Sequence, residues 1–280
     1  MKTRFLRIVL STALGILTAM IIFLAAAQAQ NATSSSVPGW VQTNTDGFGD
    51  LNNSGIFAME AYAGNLYAGT YNPITGAQLW RSPDGFTWNE VVNDAFGYPY
   101  NRGIDDMIEF KGSLYASTIV SPTAVGAEVW RSSNGLDWSR VVSQGFGDIN
   151  NVEIWNLAVF SDTLYAGTAK MNNGAEVWSS TNGSDWDKAS ADGFGNADNE
   201  AIASFTVFDG HLYAGTLNKV TGAEIWQSDG VKWTSVMTGG FDDSNNRLIG
   251  SLVVFNGSLY ALTTNSVTGP QVWRSENGLI

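Results

Sequence analysis

Residues 126–147 read GAEVWRSSNGLDWSRVVSQGFG, and recognisable copies of this stretch recur along the chain. Its first Trp returns as Trp80, Trp130, Trp178, Trp226 and Trp273, at intervals of 50, 48, 48 and 47 residues. A fixed period of this size means stacked supersecondary units, each burying its apolar face against a neighbour. The Phe of each Gly-rich loop (Phe48, Phe96, Phe146, Phe194, Phe241) sets a common frame. Asn follows it at five residues, Ile at eight, an aromatic at fourteen, Tyr at nineteen and Thr at twenty-two, before a variable loop leads to GA[EQ]xW or GPQVW.

Each unit holds four short β-rich runs separated by Gly, Asn and Asp, which predicts a four-stranded meander. The first strand runs from the Ile to the first aromatic, the second holds LYAGT, the third AEVWRS, and the fourth starts at the second Trp. Asp84-Gly85, Asn134-Gly135, Asn182-Gly183, Asp229-Gly230 and Asn277-Gly278 link the third strand to the fourth. These dipeptides tolerate positive φ and are strong hairpin signals. No stretch from residue 40 onward has helical periodicity. The expected fold is all-β, a five-bladed β-propeller of four-stranded blades of about 48 residues. The chain enters in mid-unit at Trp40-Val41-Gln42 and stops after Asn277-Gly278, so the first of these strands is expected to complete the last blade and close the ring. A fragment of a larger propeller is the alternative.

RSPDGFTW, RSSNGLDW, SSTNGSDW and QSDGVKW resemble a shortened Asp-box of the BNR-repeat propellers, a group that includes sialidases. In that family the box is a structural hairpin, so the resemblance implies fold and not activity. It covers about eight residues of every unit. Sialidase catalysis in the family rests on three convergent arginines and a Tyr nucleophile. Here Arg81, Arg131 and Arg274 occupy one repeated position after a Trp, and only Arg102 and Arg247 fall on the loop face.

The chain of 280 residues is 44% hydrophobic and 12% aromatic, enough for a large core in one domain. Lys2, Arg4 and Arg7 precede an apolar run, and Ala27-Gln28-Ala29 supplies a small-x-small cleavage pattern. Residues 1–29 therefore read as a signal peptide, 30–38 as a flexible leader and 39–280 as the propeller. An uncleaved anchor is the alternative. Cleavage would leave 11 basic residues against 26 acidic ones, a net charge of −15 that disfavours nucleic acid. A secreted, periplasmic or cell-surface location follows, with a monomer that has no membrane contact after cleavage. Cysteine is absent, which excludes disulfides and thiol chemistry.

The loops joining fourth to first strands and second to third strands gather on one face, the usual place for binding on a rigid scaffold. The repeated Asn53, Asn101, Asn151, Asn199 and Asn246 ring this face, either fixing turns or contacting ligand. Positions that differ between copies suit an asymmetric ligand better. Nine and ten residues after the loop Phe stand Phe57-Ala58, Asp105-Asp106, Trp155-Asn156, Ala203-Ser204 and Gly250-Ser251. Trp155 could stack on a sugar ring, and Tyr98 with Tyr100 could wall a pocket. Asp50, Asp148, Asp198 and Asp242 are weak calcium candidates in turn-rich loops; no cofactor is otherwise expected. The sequence reads as an exported non-catalytic propeller binding an extracellular glycan or a protein. A sialidase-like glycoside hydrolase and a scaffold fragment are the alternatives. Two-carboxylate hydrolysis would draw on Asp105, Asp106, Glu153 and Glu200. The single histidine, His211, leaves no Ser-His or His-metal framework.

Overall fold

The computed structural model describes residues 39–120, 126–170 and 173–279. The signal-peptide and leader readings fall on residues 1–38, outside the described residues. The chain divides into two units, residues 1–51 and 52–280. In the first, Asp46–Gly49 makes a 3₁₀ turn with Phe48 at φ 54°, and Trp40 and Val41 are exposed. Trp40 makes one isolated β-bridge and residues 41–42 form no strand, so the ladder expected to complete the last blade is not among those formed by the described residues.

The described residues of 52–280 form nineteen strands. The first repeat contains β1 (Gly55–Tyr62), β2 (Asn65–Tyr71), β3 (Leu79–Ser82) and β4 (Asn89–Val92). The second contains β5 (Asn101–Phe110), β6 (Ser113–Val120), β7 (Val129–Ser132) and β8 (Ser139–Val142). The third contains β9 (Asn151–Phe160), β10 (Thr163–Lys170), β11 (Val177–Ser180) and the short β12 (Asp187–Lys188). The fourth contains β13 (Asn199–Phe208), β14 (His211–Asn218), β15 (Ile225–Ser228) and β16 (Trp233–Met237). The fifth contains β17 (Leu248–Phe255), β18 (Ser258–Thr264) and β19 (Val272–Ser275). Within each repeat consecutive strands pair antiparallel, as the meander pattern requires. Single bridges join second strands to the next first strands, at Tyr71↔Gly103, Ile119↔Glu153, Ala169↔Ala201 and Leu217↔Leu248.

The apolar core lies between repeats. Tyr67 and Leu79 of the first repeat pack with Ile104 and Met107 of the second, and the next three seams repeat the arrangement. Tyr67 and Tyr115 reach the Asx-Gly turn of the following repeat, where a Cβ on Gly135 or Gly183 would overlap the Tyr hydroxyl. The Asx residue organises its own hairpin. Asp84 Oδ1 accepts from the amides of Phe86 and Thr87 at 2.8 and 2.6 Å, and Asn134 Oδ1 from those of Leu136 and Asp137 at 2.9 Å.

One hydrogen-bonded network recurs in every repeat. Asn151 Nδ2 donates to the Gly145 carbonyl at 2.8 Å and to Glu176 Oε2 at 2.7 Å. The Trp178 indole donates to the same carboxylate at 2.9 Å, and the Glu176 amide donates to Thr168 Oγ1 at 2.8 Å. The equivalents are Asn101–Glu128–Trp130, Asn199–Glu224–Trp226, Asn246–Gln271–Trp273 and Asn53–Gln78–Trp80. The loop Phe then stacks flat on this Trp, with centroids 4.7 Å apart for Phe96–Trp130 and Phe146–Trp178 and 4.3 Å for Phe241–Trp273. Trp138 and Trp186 close over the other side, edge-on. All five loop Phe residues have φ between 54° and 62°, a conformation costing on the order of 1 kcal/mol, which contact with two Trp rings offsets at Phe96, Phe146 and Phe194.

Two stability outcomes follow. Gly135→Ala combines positive φ with overlap on Tyr67 Oη, whereas Gly230→Ala meets nothing nearer than 3.6 Å. Urea unfolding should show a loss of about 3 kcal/mol for the first and about 1 kcal/mol for the second. Asn151→Ala strips a donor from a buried carbonyl and a buried carboxylate, and should cost about 2–4 kcal/mol in the same assay.

Candidate functional site

A β-bulge interrupts the first strand of every repeat at the same place. The register shifts between Ile56 and Ala58, Ile104 and Met107, Ile154 and Asn156, Ile202 and Ser204, and Ile249 and Ser251. The extra residue is the one nine after the loop Phe: Phe57, Asp105 (with Asp106 beside it), Trp155, Ala203 and Gly250. A bulge frees a residue from the ladder and re-aims its side chain, which is why bulges gather next to functional sites. Sequence periodicity singles out this position as variable. The bulge that explains its variability is set by backbone hydrogen bonding and leaves no residue signature of its own.

The following position does different work. Asp106 Oδ2 accepts from the Leu157 amide of the next repeat at 2.7 Å, and its Oδ1 from the Met107 amide at 2.9 Å. Asn156 Nδ2 donates to the Ala203 carbonyl at 2.8 Å, and Ser204 Oγ to the Ile249 carbonyl at 2.9 Å. Asp106, Asn156 and Ser204 therefore tie β5 to β9, β9 to β13 and β13 to β17.

Asp105, Asp106, Glu153 and Trp155 are brought together on β5 and β9. Asp105 Oδ2 is buried and accepts no hydrogen bond among the described residues. Burial, with the Glu153 and Asp106 carboxylates beside it, holds the Asp105 carboxyl well above the usual range. Burial also pushes Asp106 up, to about 6, against the lowering effect of its two amide donors. Glu153 is raised by burial in spite of a hydrogen bond to Trp155. This is a partly desolvated acidic cluster with an indole at its side. It offers hydroxyl-recognising carboxyl groups and an aromatic face.

The other candidates are placed elsewhere. The five asparagines belong to the scaffold network, with Asn101, Asn151, Asn199 and Asn246 buried. Tyr98 and Tyr100 pack on each other at 5.3 Å, and Tyr100 is exposed. Asp148 is engaged by Lys170 at 2.8 Å and by Asn150, and Asp242 is exposed. The Asp198 amide donates to Asn196 Oδ1 at 3.1 Å, and Asp50 lies in the 39–51 unit. Among the described residues no three acidic, His or Cys side chains gather as a metal would require. Arg131 hydrogen-bonds Ser113 and lies over Tyr115, and Arg274 hydrogen-bonds Ser258. Glu128, Glu176 and Glu224 were legible only as part of the GA[EQ]xW pattern; the Asn five residues after each loop Phe was the signal for their buried partner.

No family model and no curated protein matches the chain. Among solved structures, Trypanosoma rangeli sialidase with 2,3-difluorosialic acid is 13% identical, with a TM-score of 0.54 over 86% of this chain and 49% of that one. The same sialidase with sialic acid gives 13% and 0.52, over 89% and 50%. The chain thus spans about half the length of that sialidase. A GH43 endo-arabinanase from Bacillus licheniformis is 14% identical with a TM-score of 0.41, over 78% of this chain and 91% of that one. The likeness to the sialidase shows the fold, a β-propeller.

Proposed function

We propose that this chain is an exported, ring-closed five-bladed propeller that binds a neutral carbohydrate without turning it over. The observation that carries the reading is the convergence of Asp105, Glu153 and Trp155, two of them bulge residues on adjacent first strands. Carboxyl groups accept from and donate to sugar hydroxyls, and the indole stacks on a sugar's C–H face. The site is single, because the bulge residue of the other repeats is Phe57, Ala203 or Gly250. An anionic sugar is disfavoured: Glu60 adds to the charge around Asp106, and the chain as a whole is acidic. Export rests on the sequence signal at residues 1–29; no helix among the described residues is long and apolar enough to cross a membrane. Binding is proposed to be calcium-independent. A protein partner at the same face is the outcome a blank glycan screen would favour.

One observation favours catalysis as the second reading. Asp105, its carboxyl held well above the usual range by burial with Glu153 and Asp106 beside it, is placed like a general acid with a carboxylate neighbour. Asp106 fits it less well, since both its oxygens are engaged by backbone amides.

A glycan array run with calcium and with chelator tests the proposal. Neutral-glycan hits that survive chelation and weaken roughly 3- to 10-fold in Trp155→Ala are expected. Turnover of aryl glycosides that disappears in Asp105→Asn would replace binding with hydrolysis. The cluster also sets a pH dependence. The folded-state value of Asp106, about 6, exceeds its unfolded value, so its contribution is fully present below about pH 4 and lost as pH rises through about 6. Measured against Asp106→Asn, the wild type should gain up to roughly 3 kcal/mol of relative stability on going from pH 7 to pH 4.

A further inference from the structure

The chain contains five Asn-Gly pairs, Asn134-Gly135, Asn173-Gly174, Asn182-Gly183, Asn256-Gly257 and Asn277-Gly278. The pair has a chemistry of its own. The backbone nitrogen after an Asn attacks the side-chain amide carbon and closes a five-membered succinimide, most readily when the next residue is Gly, which has no Cβ to obstruct the approach. The reaction needs an amide nitrogen that hydroxide can reach, a side-chain amide free to turn onto it, and a backbone free to rotate between them.

Four pairs lack these conditions. Asn134-Gly135, Asn182-Gly183 and Asn277-Gly278 follow third strands, and their glycines are buried. A Cβ on each would overlap the hydroxyl of Tyr67, Tyr115 or Tyr213. The Gly135 and Gly183 amides are occupied, donating to Ser132 and Ser180 Oγ at 2.8 Å. The side chains are fixed as well. Asn134 and Asn182 Nδ2 donate to Asp137 and Asp185 Oδ2 at 2.8 Å, and Asn277 Oδ1 accepts from the Leu279 amide at 3.0 Å and from Ser275 Oγ at 3.1 Å. Asn173-Gly174 is held by the next loop. Gly174 is buried, and a Cβ there would come within 2.6 Å of the Gly193 nitrogen.

Asn256-Gly257 differs on every count. It is the two-residue turn between β17 and β18, closed by the Phe255↔Ser258 pair, and its φ values of 47° and 72° give the primed turn that Asn-Gly favours. Both residues are exposed. A Cβ on Gly257 would meet nothing within 4 Å. Among the described residues neither the Asn256 side chain nor the Gly257 amide makes a hydrogen bond. Val254 and Phe255 beside the turn are exposed too, so little packing resists its local opening.

We propose that Asn256 is a site of spontaneous succinimide formation, and that the folded chain confines this chemistry to it. Hydroxide removes the Gly257 amide proton and the nitrogen attacks Asn256 Cγ. A C–N bond forms, the Cγ–Nδ2 bond breaks, and ammonia leaves with a proton from water. Water then opens the ring. Addition at Cγ gives aspartate, and addition at the Asn256 backbone carbonyl carbon gives isoaspartate, in which the main chain runs through the side chain. The two products have different fates. Asp209-Gly210 makes the same turn in the fourth repeat at φ 46° and 71°, so aspartate fits. Isoaspartate lengthens a two-residue loop by one backbone carbon, which breaks the Phe255↔Ser258 register.

Peptide mass analysis of the full chain after incubation at mildly alkaline pH tests the proposal. The peptide carrying position 256 should convert from amide to acid at a rate proportional to hydroxide, with at least roughly tenfold slower conversion at Asn134, Asn173, Asn182 and Asn277. In guanidinium chloride all five pairs should convert at comparable rates. Gly257→Ala should slow conversion at position 256 by roughly tenfold or more, in denaturant as well as in the folded chain. Asn256→Asp should unfold at the wild-type denaturant midpoint. The isoaspartyl form, identified by methylation with a protein isoaspartyl methyltransferase, should unfold at a lower one. An Asn256 that keeps its amide in the folded chain while converting in denaturant would overturn the proposal, as would folded protein in which the other four pairs convert as fast. Mass and linkage are read without ligand, so neither outcome bears on glycan binding.

Discussion

The structure depends on a carboxylate or amide buried at the start of each third strand. Glu128, Glu176 and Glu224 each collect an Asn from the first strand and an indole from their own strand. Removing an ion from water costs several kcal/mol unless its lone pairs are satisfied. Here they are. Glu176 shows the balance: burial works to raise it, and hydrogen bonds from Lys188, Asn151, Trp178 and Lys170 outweigh burial and hold it low. The same Asn closes the Gly-rich loop through a backbone carbonyl, and that loop delivers the Phe that the two Trp residues clamp. One polar contact thus fixes the loop, the aromatic stack and the entry of the next first strand.

The repeats solve the charge problem in different ways while keeping the geometry. Arg140 neutralises Glu128 and Lys188 neutralises Glu176, from equivalent fourth-strand positions. The third repeat adds Lys170, itself buried and shared with Asp148. Glu224 has no cation at that position, where the residue is Ser235, and takes Asn196 of its own loop at 2.8 Å. In the first repeat the acceptor is Gln78, and the fourth-strand position is Glu90. A glutamate in place of Gln78 would set two carboxylates facing one another. Hydrogen-bond geometry is held in common, and charge is balanced repeat by repeat.

Much of this was legible in the sequence. The frame counted from the loop Phe located every strand because the apolar face repeats with it, and the Asx-Gly dipeptides located the hairpins because few other residues tolerate that backbone. The asparagines had two readings, and the partners that engage them, Glu128, Glu176, Glu224, Gln78 and Gln271, are legible only as one position of the GA[EQ]xW and GPQVW patterns. Asp105 and Trp155 were singled out by their variability, while Asp106 and Asn156 were grouped with them and turn out to tie adjacent first strands together. A one-residue bulge separates those fates, and it depends on a backbone register that residue types do not encode.

That division between scaffold and bulge explains how near-identical repeats can carry an asymmetric site. The residue after the bulge keeps adjacent first strands in register through hydrogen bonds across the seam, at Asp106, Asn156 and Ser204. The bulge residue is outside the ladder, so Phe, Asp, Trp, Ala and Gly all occupy it without disturbing the pairing on either side. Strand pairing and the proposed recognition thus fall to neighbouring residues with opposite tolerances. Adjacent repeats that place an acid and an indole at this position create a polar, partly desolvated cluster, and the raised carboxyl groups there are the consequence of that desolvation. The other buried carboxylates of the scaffold are satisfied by hydrogen bonds and cations, and the contrast is the ground on which a ligand contact is proposed for this cluster.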